Sequence, residues 1–234
     1  MGCGRVAVVA GRVVLAFAVV VVIGCAPRAR TRVRVAAPPP VVSDWPRREV
    51  LDLAIRAWDC GRRYGDFTSD MLTVIDYSLP STERRLWVID VPAWRVVNHE
   101  FVAHGQGSGD NMAVAFSNDP GSRQSSLGLF RTEETYIGGQ GYSLRLTGLE
   151  PGINDHAMER NIVVHGADYV GSNVIAEHGR LGRSWGCPAL ARDVSHGIID
   201  RIKGGSALFA YYPDAAWIQT SRFLQCGAVQ VAGR

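Results

Sequence analysis

Hydrophobic and polar positions divide the chain into three parts. Residues 1–24 are apolar between basic residues, and residues 13–23 carry no charged side chain. Residues 26–42 show no apolar periodicity and contain three consecutive prolines, which is typical of an extended tether. From residue 43 the apolar positions recur at helix or strand spacing, so we expect a folded domain to begin there.

This folded region opens with a predicted helix. Ser43-Asp44-Trp45-Pro46 is typical of a helix N-terminus with proline in the first turn, and apolar residues follow at helical spacing until Gly61. Short β-rich runs separated by turn residues come next, so we expect an α+β fold that is mainly β with a few helices. The predicted strands are residues 72–78, 86–91, 96–103, 128–131, 142–146, 162–164 and 206–212, with a polar loop at 105–126 and a second helix at 194–203.

The first 24 residues have the features of an export signal. Their uncharged run is shorter than the roughly 20 residues that span a bilayer, and Arg5 and Arg12 provide a basic start. Gly24-Cys25 at the end resembles a lipoprotein signal, in which the cysteine is lipidated. Ordinary signal cleavage nearby is the alternative. We therefore expect an exported protein in the periplasm or outer envelope, anchored to a membrane through Cys25.

Charge adds little to this picture. The net charge is +3, and removal of the signal takes away two arginines. The remaining excess does not indicate a nucleic-acid partner. The tether, residues 25–42, carries four arginines that are either a solvated charge run or a contact with anionic lipid head groups. We assign residues 43–214 to one domain and 215–234 to a C-terminal tail, and the sequence leaves the oligomeric state open.

The candidate chemistry lies between residues 161 and 189. Three β-branched residues lead into His165-Gly166, and a polar, glycine-rich excursion ends in Ser184-Trp185-Gly186-Cys187-Pro188. A free thiol with a pKa of about 8.5 is mostly protonated at neutral pH. An imidazole within hydrogen-bond reach can stabilise the thiolate and later return the proton to a leaving amine. This pair predicts a cysteine nucleophile with a histidine base.

Acyl transfer also needs hydrogen-bond donors for the oxyanion. Pro188 has no N–H group, so the donors must lie at Cys187 and upstream. Backbone N–H groups of Trp185 and Gly186 are the oxyanion candidates, together with that of Cys187 itself.

His-Gly followed at this interval by Ser-x-Gly-Cys resembles the catalytic motif of the L,D-transpeptidases of bacterial cell walls, the YkuD-like family. The resemblance covers roughly residues 45–214. Most members have His where Trp185 stands, and Asn or Arg where Ala189 stands. Cys187 and His165 carry over, whereas the usual contacts on the substrate side do not.

The resemblance implies a β-sandwich or mixed sheet after the N-terminal helix, and a cysteine acyltransferase that acts on peptidoglycan stem peptides without a cofactor. The Gly166 carbonyl would orient the imidazole, with Asp168 as the rival. Stem-peptide contacts are expected from Arg180, Arg183, Tyr142 and Ser184, although the arginines and the tyrosine are equally explained as solvated loop and strand residues. An L,D-carboxypeptidase and a non-catalytic murein-binding lipoprotein remain alternatives, and the acceptor of the acyl group stays open.

The other cysteines and histidines suggest less. His99 and His104 would point to opposite faces of a strand, so no metal site is expected there. Cys60 and Cys226 remain once Cys3, Cys25 and Cys187 are accounted for. They could pair in an oxidising compartment, but the sequence does not decide whether they do.

Overall fold

The computed structural model describes residues 45–226. The predicted signal, Cys25 and the whole of the predicted tether therefore lie outside the described residues. The helices are α1 (Arg48–Tyr64), α2 (Ser172–His178), α3 (Arg192–Ile202) and α4 (Ala215–Thr220). The strands are β1 (Met71–Asp76), β2 (Leu86–Asp90), β3 (Arg95–Glu100), β4 (Gly128–Gly138), β5 (Gly141–Gly148), β6 (Val163–Ala167), β7 (Ala189–Ala191) and β8 (Ala207–Tyr211). No helix within residues 45–226 is long and apolar enough to cross a membrane.

These eight strands form a mixed sheet in the order β3-β2-β1-β8-β4-β5-β6-β7. Two neighbouring pairs, β1 with β8 and β6 with β7, run parallel, and the other pairs are antiparallel. Helix α1 packs on β1 and β8, and α3 packs mainly on β6. The predicted α+β class, with a mixed sheet preceded by a helix, is confirmed.

The core lies around the central strands. Every residue of β8 is buried, as are five of the six residues of β1. Strands covered on both faces read as continuous apolar runs rather than alternating ones. The run ALFAY in β8 follows that rule, whereas LTVID in β1 also contains the buried polar residues Thr73 and Asp76.

Helix α1 extends past its predicted end at Gly61. A Cβ at Gly61 would lie 2.4 Å from the ring of Phe67, so the glycine serves close packing rather than termination. The helix ends instead at Gly65, which adopts the left-handed conformation (φ 79°) common after a helix.

Residues 215–226, the described part of the predicted tail, pack onto the domain. Trp217 is buried, and its indole Nε1–H donates to the buried Glu150 at 3.1 Å. Phe223 is also buried. A disulfide joins Cys60 in α1 to Cys226, which answers the question that the sequence left open.

Candidate active site

Strand pairing brings His165 and Cys187 to one place in the sheet. His165 lies in β6 and is opposite Ala189 of β7 in a parallel register. Parallel neighbours lie about 4.8 Å apart, so Cys187, two residues before Ala189, comes alongside Val163. The Val163 N–H indeed donates to the Cys187 sulfur at 3.5 Å.

Cys187 is partly exposed, and its sulfur lies between a donor and an acceptor. The thiol donates to the Asn161 carbonyl at 3.5 Å. Within the described chain it makes no hydrogen bond to His165, although both side chains line the same cleft. Burial raises the pKa of Cys187, whereas the Val163 N–H and the positive charge of Arg160 lower it.

The imidazole of His165 is buried and is oriented by the backbone carbonyl of the next residue. Its Nδ1 lies 3.1 Å from the Gly166 carbonyl, which can only accept. Nδ1 therefore carries the proton, and Nε2 is left as the basic atom. Burial lowers the pKa of His165; the bond to Gly166 opposes this and Arg192 adds to it. Asp168, the rival orienter, instead pairs with Arg192 at the surface.

The side chain of Ser184 organises the turn before Cys187 through two hydrogen bonds. The buried Ser184 hydroxyl donates to the Cys187 carbonyl at 2.6 Å and accepts from the Gly186 N–H at 3.1 Å. The Gly186 N–H, predicted as an oxyanion donor, is therefore engaged by Ser184 in this state. The N–H groups of Trp185 and Cys187 donate to no other residue in the described part of the chain. These two groups are the available donors.

Trp185 lies at the rim of the cleft. Its side chain is 70% exposed, and the Arg123 guanidinium lies 4.7 Å from the ring centroid. The indole therefore faces mainly Arg123 and solvent.

The predicted substrate contacts separate into two groups. Arg183 and Ser184 line the cleft, where Arg183 pairs with Asp110 at 2.8 Å. Arg180 lies in a neighbouring surface pocket and donates to the Leu181 carbonyl. Tyr142 donates to Asp200 of α3 at 2.7 Å.

Strand alternation explains the position of Tyr142. Ser143 is opposite His165 across β5 and β6, so these two residues share a face of the sheet. Tyr142, its neighbour, must point to the other face, where α3 packs. Tyr142 and Arg180 are thus not part of this cleft.

Sequence reasoning missed other walls of the cleft, which has a volume of about 580 Å³. They are Tyr136, Gly139 and Gln140 of the β4–β5 hairpin, Arg160 before β6 and Tyr169 after it. Burial, together with the nearby sulfur, raises the pKa of Tyr169 to about 12. A volume of this size is ordinary for a pocket that binds a small molecule or peptide segment.

A buried polar network braces the turn from behind. The fully buried Arg85 donates to His104 Nδ1 at 2.7 Å, so His104 carries its proton on Nε2 and donates to the Gly109 carbonyl at 3.2 Å. The His104 carbonyl accepts from the Ser184 N–H at 3.0 Å. Burial, with the Arg85 charge as a further cause, lowers the pKa of His104 to about 4. His104 is thus a neutral structural residue.

The sequence model of the L,D-transpeptidase catalytic domain matches residues 44–211. The chain belongs to the L,D-transpeptidase catalytic domain family. No curated protein sequence matches it.

Several solved L,D-transpeptidases resemble the chain at low identity. A Mycobacterium smegmatis enzyme is 15% identical over 62% of this chain and 59% of its own, with a TM-score of 0.38. L,D-transpeptidase 1 of Mycobacterium tuberculosis is 14% identical over 60% of each chain, with a TM-score of 0.34. One from Stackebrandtia nassauensis is 13% identical over 69% of this chain and 65% of its own, with a TM-score of 0.38. The chain thus spans about three fifths of the first two proteins.

Proposed function

We propose that this protein is a peptidoglycan L,D-transpeptidase in which Cys187 is the nucleophile and His165 the base. The observation that supports it best is the convergence of the only free thiol in residues 45–226 with a histidine whose basic nitrogen is unprotonated. Both side chains line one open cleft. Family membership supplies the substrate class, which is the peptide stem of the bacterial cell wall.

The resting pair is neutral. An ion pair would require the thiol to be the stronger acid, but burial raises the pKa of Cys187 and lowers that of His165. Deprotonation therefore accompanies attack. The thiol leaves the Asn161 carbonyl, turns towards the imidazole and transfers its proton to Nε2, since catalytic hydrogen bonds commonly form only with substrate bound.

Acylation follows from this transfer. The sulfur attacks the carbonyl of the L-centre that precedes a D-amino acid, and N–H groups of Trp185 and Cys187 face the oxyanion. When the C–N bond breaks, the imidazolium returns its proton to the departing amine. A thioester between Cys187 and the stem peptide remains.

Deacylation repeats these steps in reverse with an amine acceptor. The side-chain amine of a neighbouring stem loses a proton to His165 and attacks the thioester, which forms a cross-link and restores the thiol. Water in place of the amine would make the protein an L,D-carboxypeptidase. Both acceptors are compatible with an open cleft, so product analysis must separate them.

Product analysis tests this proposal. The protein is incubated with disaccharide tetrapeptides, and the products are weighed by mass spectrometry. Cross-linked dimers support transpeptidation, whereas tripeptides alone support the carboxypeptidase. Unchanged substrate after long incubation, with a folded protein, would favour the non-catalytic murein-binding alternative.

Location is the second part of the proposal. We place the protein outside the cytoplasm, held to a membrane by a lipid on Cys25. Cys25→Ala should move the protein from the membrane fraction to the soluble fraction, because a lipid anchor depends on that cysteine. Continued membrane association of this variant, measured by fractionation, would contradict the anchor and indicate an uncleaved signal or binding by the arginine tether.

A further inference from the structure

Arg160 is a half-buried arginine that no motif singles out. It lies just before β6 and lines the same cleft as Cys187. Its two terminal nitrogens both donate to the segment from residue 117 to 126. The acceptors are the carbonyls of Ser117 (2.7 Å) and Gln124 (2.6 Å) and the hydroxyls of Ser126 (2.5 Å) and Ser122 (3.2 Å).

These bonds hold segment 117–126 against the residue before the nucleophile. Gly186 has a φ of 126°, and a Cβ there would lie 2.8 Å from the Gln124 carbonyl and 3.5 Å from Arg160 Nη2. The Ser125 hydroxyl donates to the Gly186 carbonyl at 3.1 Å. Arg160 therefore fixes a wall that touches the Gly186 backbone directly.

The charge of Arg160 is also poorly neutralised. It forms no ion pair with a carboxylate in residues 45–226. Burial lowers the pKa of Arg160, whereas Cys187, in its thiolate form, and Asp119 raise it. An arginine stays protonated in proteins even so. A permanent positive charge thus lies near the sulfur.

We propose that Arg160 is a positioning residue for Cys187, which clamps segment 117–126 against Gly186 and places a guanidinium charge where it favours the thiolate. The inference rests on the proposed role of Cys187 as nucleophile. It adds a source of thiolate stabilisation that partly offsets the burial of the sulfur.

Other titratable groups near the sulfur do not lower the pKa of the thiol in the way that the charge of Arg160 does. Burial raises the pKa of Tyr77 and of Tyr169 to about 12, so both stay neutral in the range of the test. Burial lowers the pKa of His165, which is therefore uncharged above neutral pH. Asp119 is negative and would oppose the thiolate. Arg160 is the cation that lowers the pKa of this thiol.

The test compares Arg160→Gln, Arg160→Lys and, as a control of equal charge change outside the cleft, Arg180→Gln. Alkylation of Cys187 by iodoacetamide is followed from pH 6 to 10 by mass spectrometry of the peptide that contains it. Hydrogen exchange over residues 117–126 reports the clamp. Neither measurement requires substrate or turnover, so failure of this inference and failure of the proposed function are distinguishable.

Arg160→Gln should move the alkylation midpoint to higher pH and slow alkylation at pH 7 by a factor on the order of three to ten, since one pKa unit is a tenfold change. Arg160→Lys should retain the midpoint because it retains the charge. Both should speed exchange in residues 117–126 only, since lysine lacks the planar fork. Arg180→Gln should change neither readout.

An unshifted midpoint in folded Arg160→Gln would overturn the role of the charge, and unchanged exchange would overturn the clamp. If Arg160→Gln does not fold, exchange in Arg160→Lys decides the clamp, and the alkylation midpoint of the neutral Arg160→Met, which keeps an apolar stem at this position, decides the role of the charge. Faster exchange throughout that variant would show that Arg160 supports the whole domain and would overturn a local role.

Discussion

At the sulfur of Cys187, burial and hydrogen bonding act in opposite directions. Burial raises the pKa of the thiol, and the Val163 N–H and Arg160 lower it. The motif predicts the nucleophile and the base, because both residues belong to one short stretch of the chain whose residue types and spacing resemble the family pattern. It does not predict Arg160 or the Asn161 carbonyl, whose positions depend on how the turn before β6 meets residues 117–126. Asn161 itself has a left-handed φ of 54°, which is uncommon for a residue other than glycine.

The departure at Trp185 is expected to matter for shape rather than for acidity. Desolvation by an indole would raise the pKa of a neighbouring thiol, but this ring is 70% exposed and lies beside Arg123. Trp185→His should therefore leave the pH profile of Cys187 alkylation unchanged. A midpoint that falls in this variant would show that the indole does cover the sulfur in solution.

Among the elements, those with strong local patterns were predicted and those defined by distant partners were not. The run of β8 is apolar throughout, that of β1 is apolar except for Thr73 and Asp76, and α1 has clear helical spacing. Strand β7 has only three residues and exists because β6 and residue 103 pair with it. Strand β4 continues through TEETYIG because its partner β5 supplies the hydrogen bonds, although that run is too polar to indicate a strand by itself.

His104 connects the buried Arg85 to the turn at Ser184. Its burial should make the stability of the protein depend on pH. The folded state disfavours protonation of His104, whose pKa falls to about 4 from 6.5. Between these values the unfolded chain binds more protons, so the free energy of unfolding decreases as pH falls through that window. For one such group the loss is roughly 2–4 kcal/mol.

His104→Asn should flatten that dependence in urea unfolding at pH 4–7, while exposed His178→Gln should not. Burial also lowers the pKa of His165, so part of the pH dependence of the free energy of unfolding should remain in this variant. An unchanged slope in a folded His104→Asn protein would show that folding does not lower the pKa of His104.

At the scale of the whole molecule, the Cys60–Cys226 disulfide closes a loop of 166 residues. A cross-link of this length restricts the unfolded chain, so Cys60→Ser with Cys226→Ser should lower the free energy of unfolding by about 2–5 kcal/mol. Neither cysteine of the disulfide lines the cleft of Cys187, so the alkylation of Cys187 should keep its pH profile in the double variant. Equal stability of the double variant in denaturant titration would contradict the disulfide.

The most direct test of the account is the intact mass of the protein during reaction with a stem tetrapeptide. The wild-type chain should gain the mass of the acyl tripeptide at Cys187, and hydroxylamine should remove it because it is a thioester. Cys187→Ala should form no adduct and lose turnover by a factor on the order of 10⁴ or more, with an unchanged melting temperature. Turnover retained in Cys187→Ala, or an acyl group found on another residue, would contradict the assignment of the nucleophile.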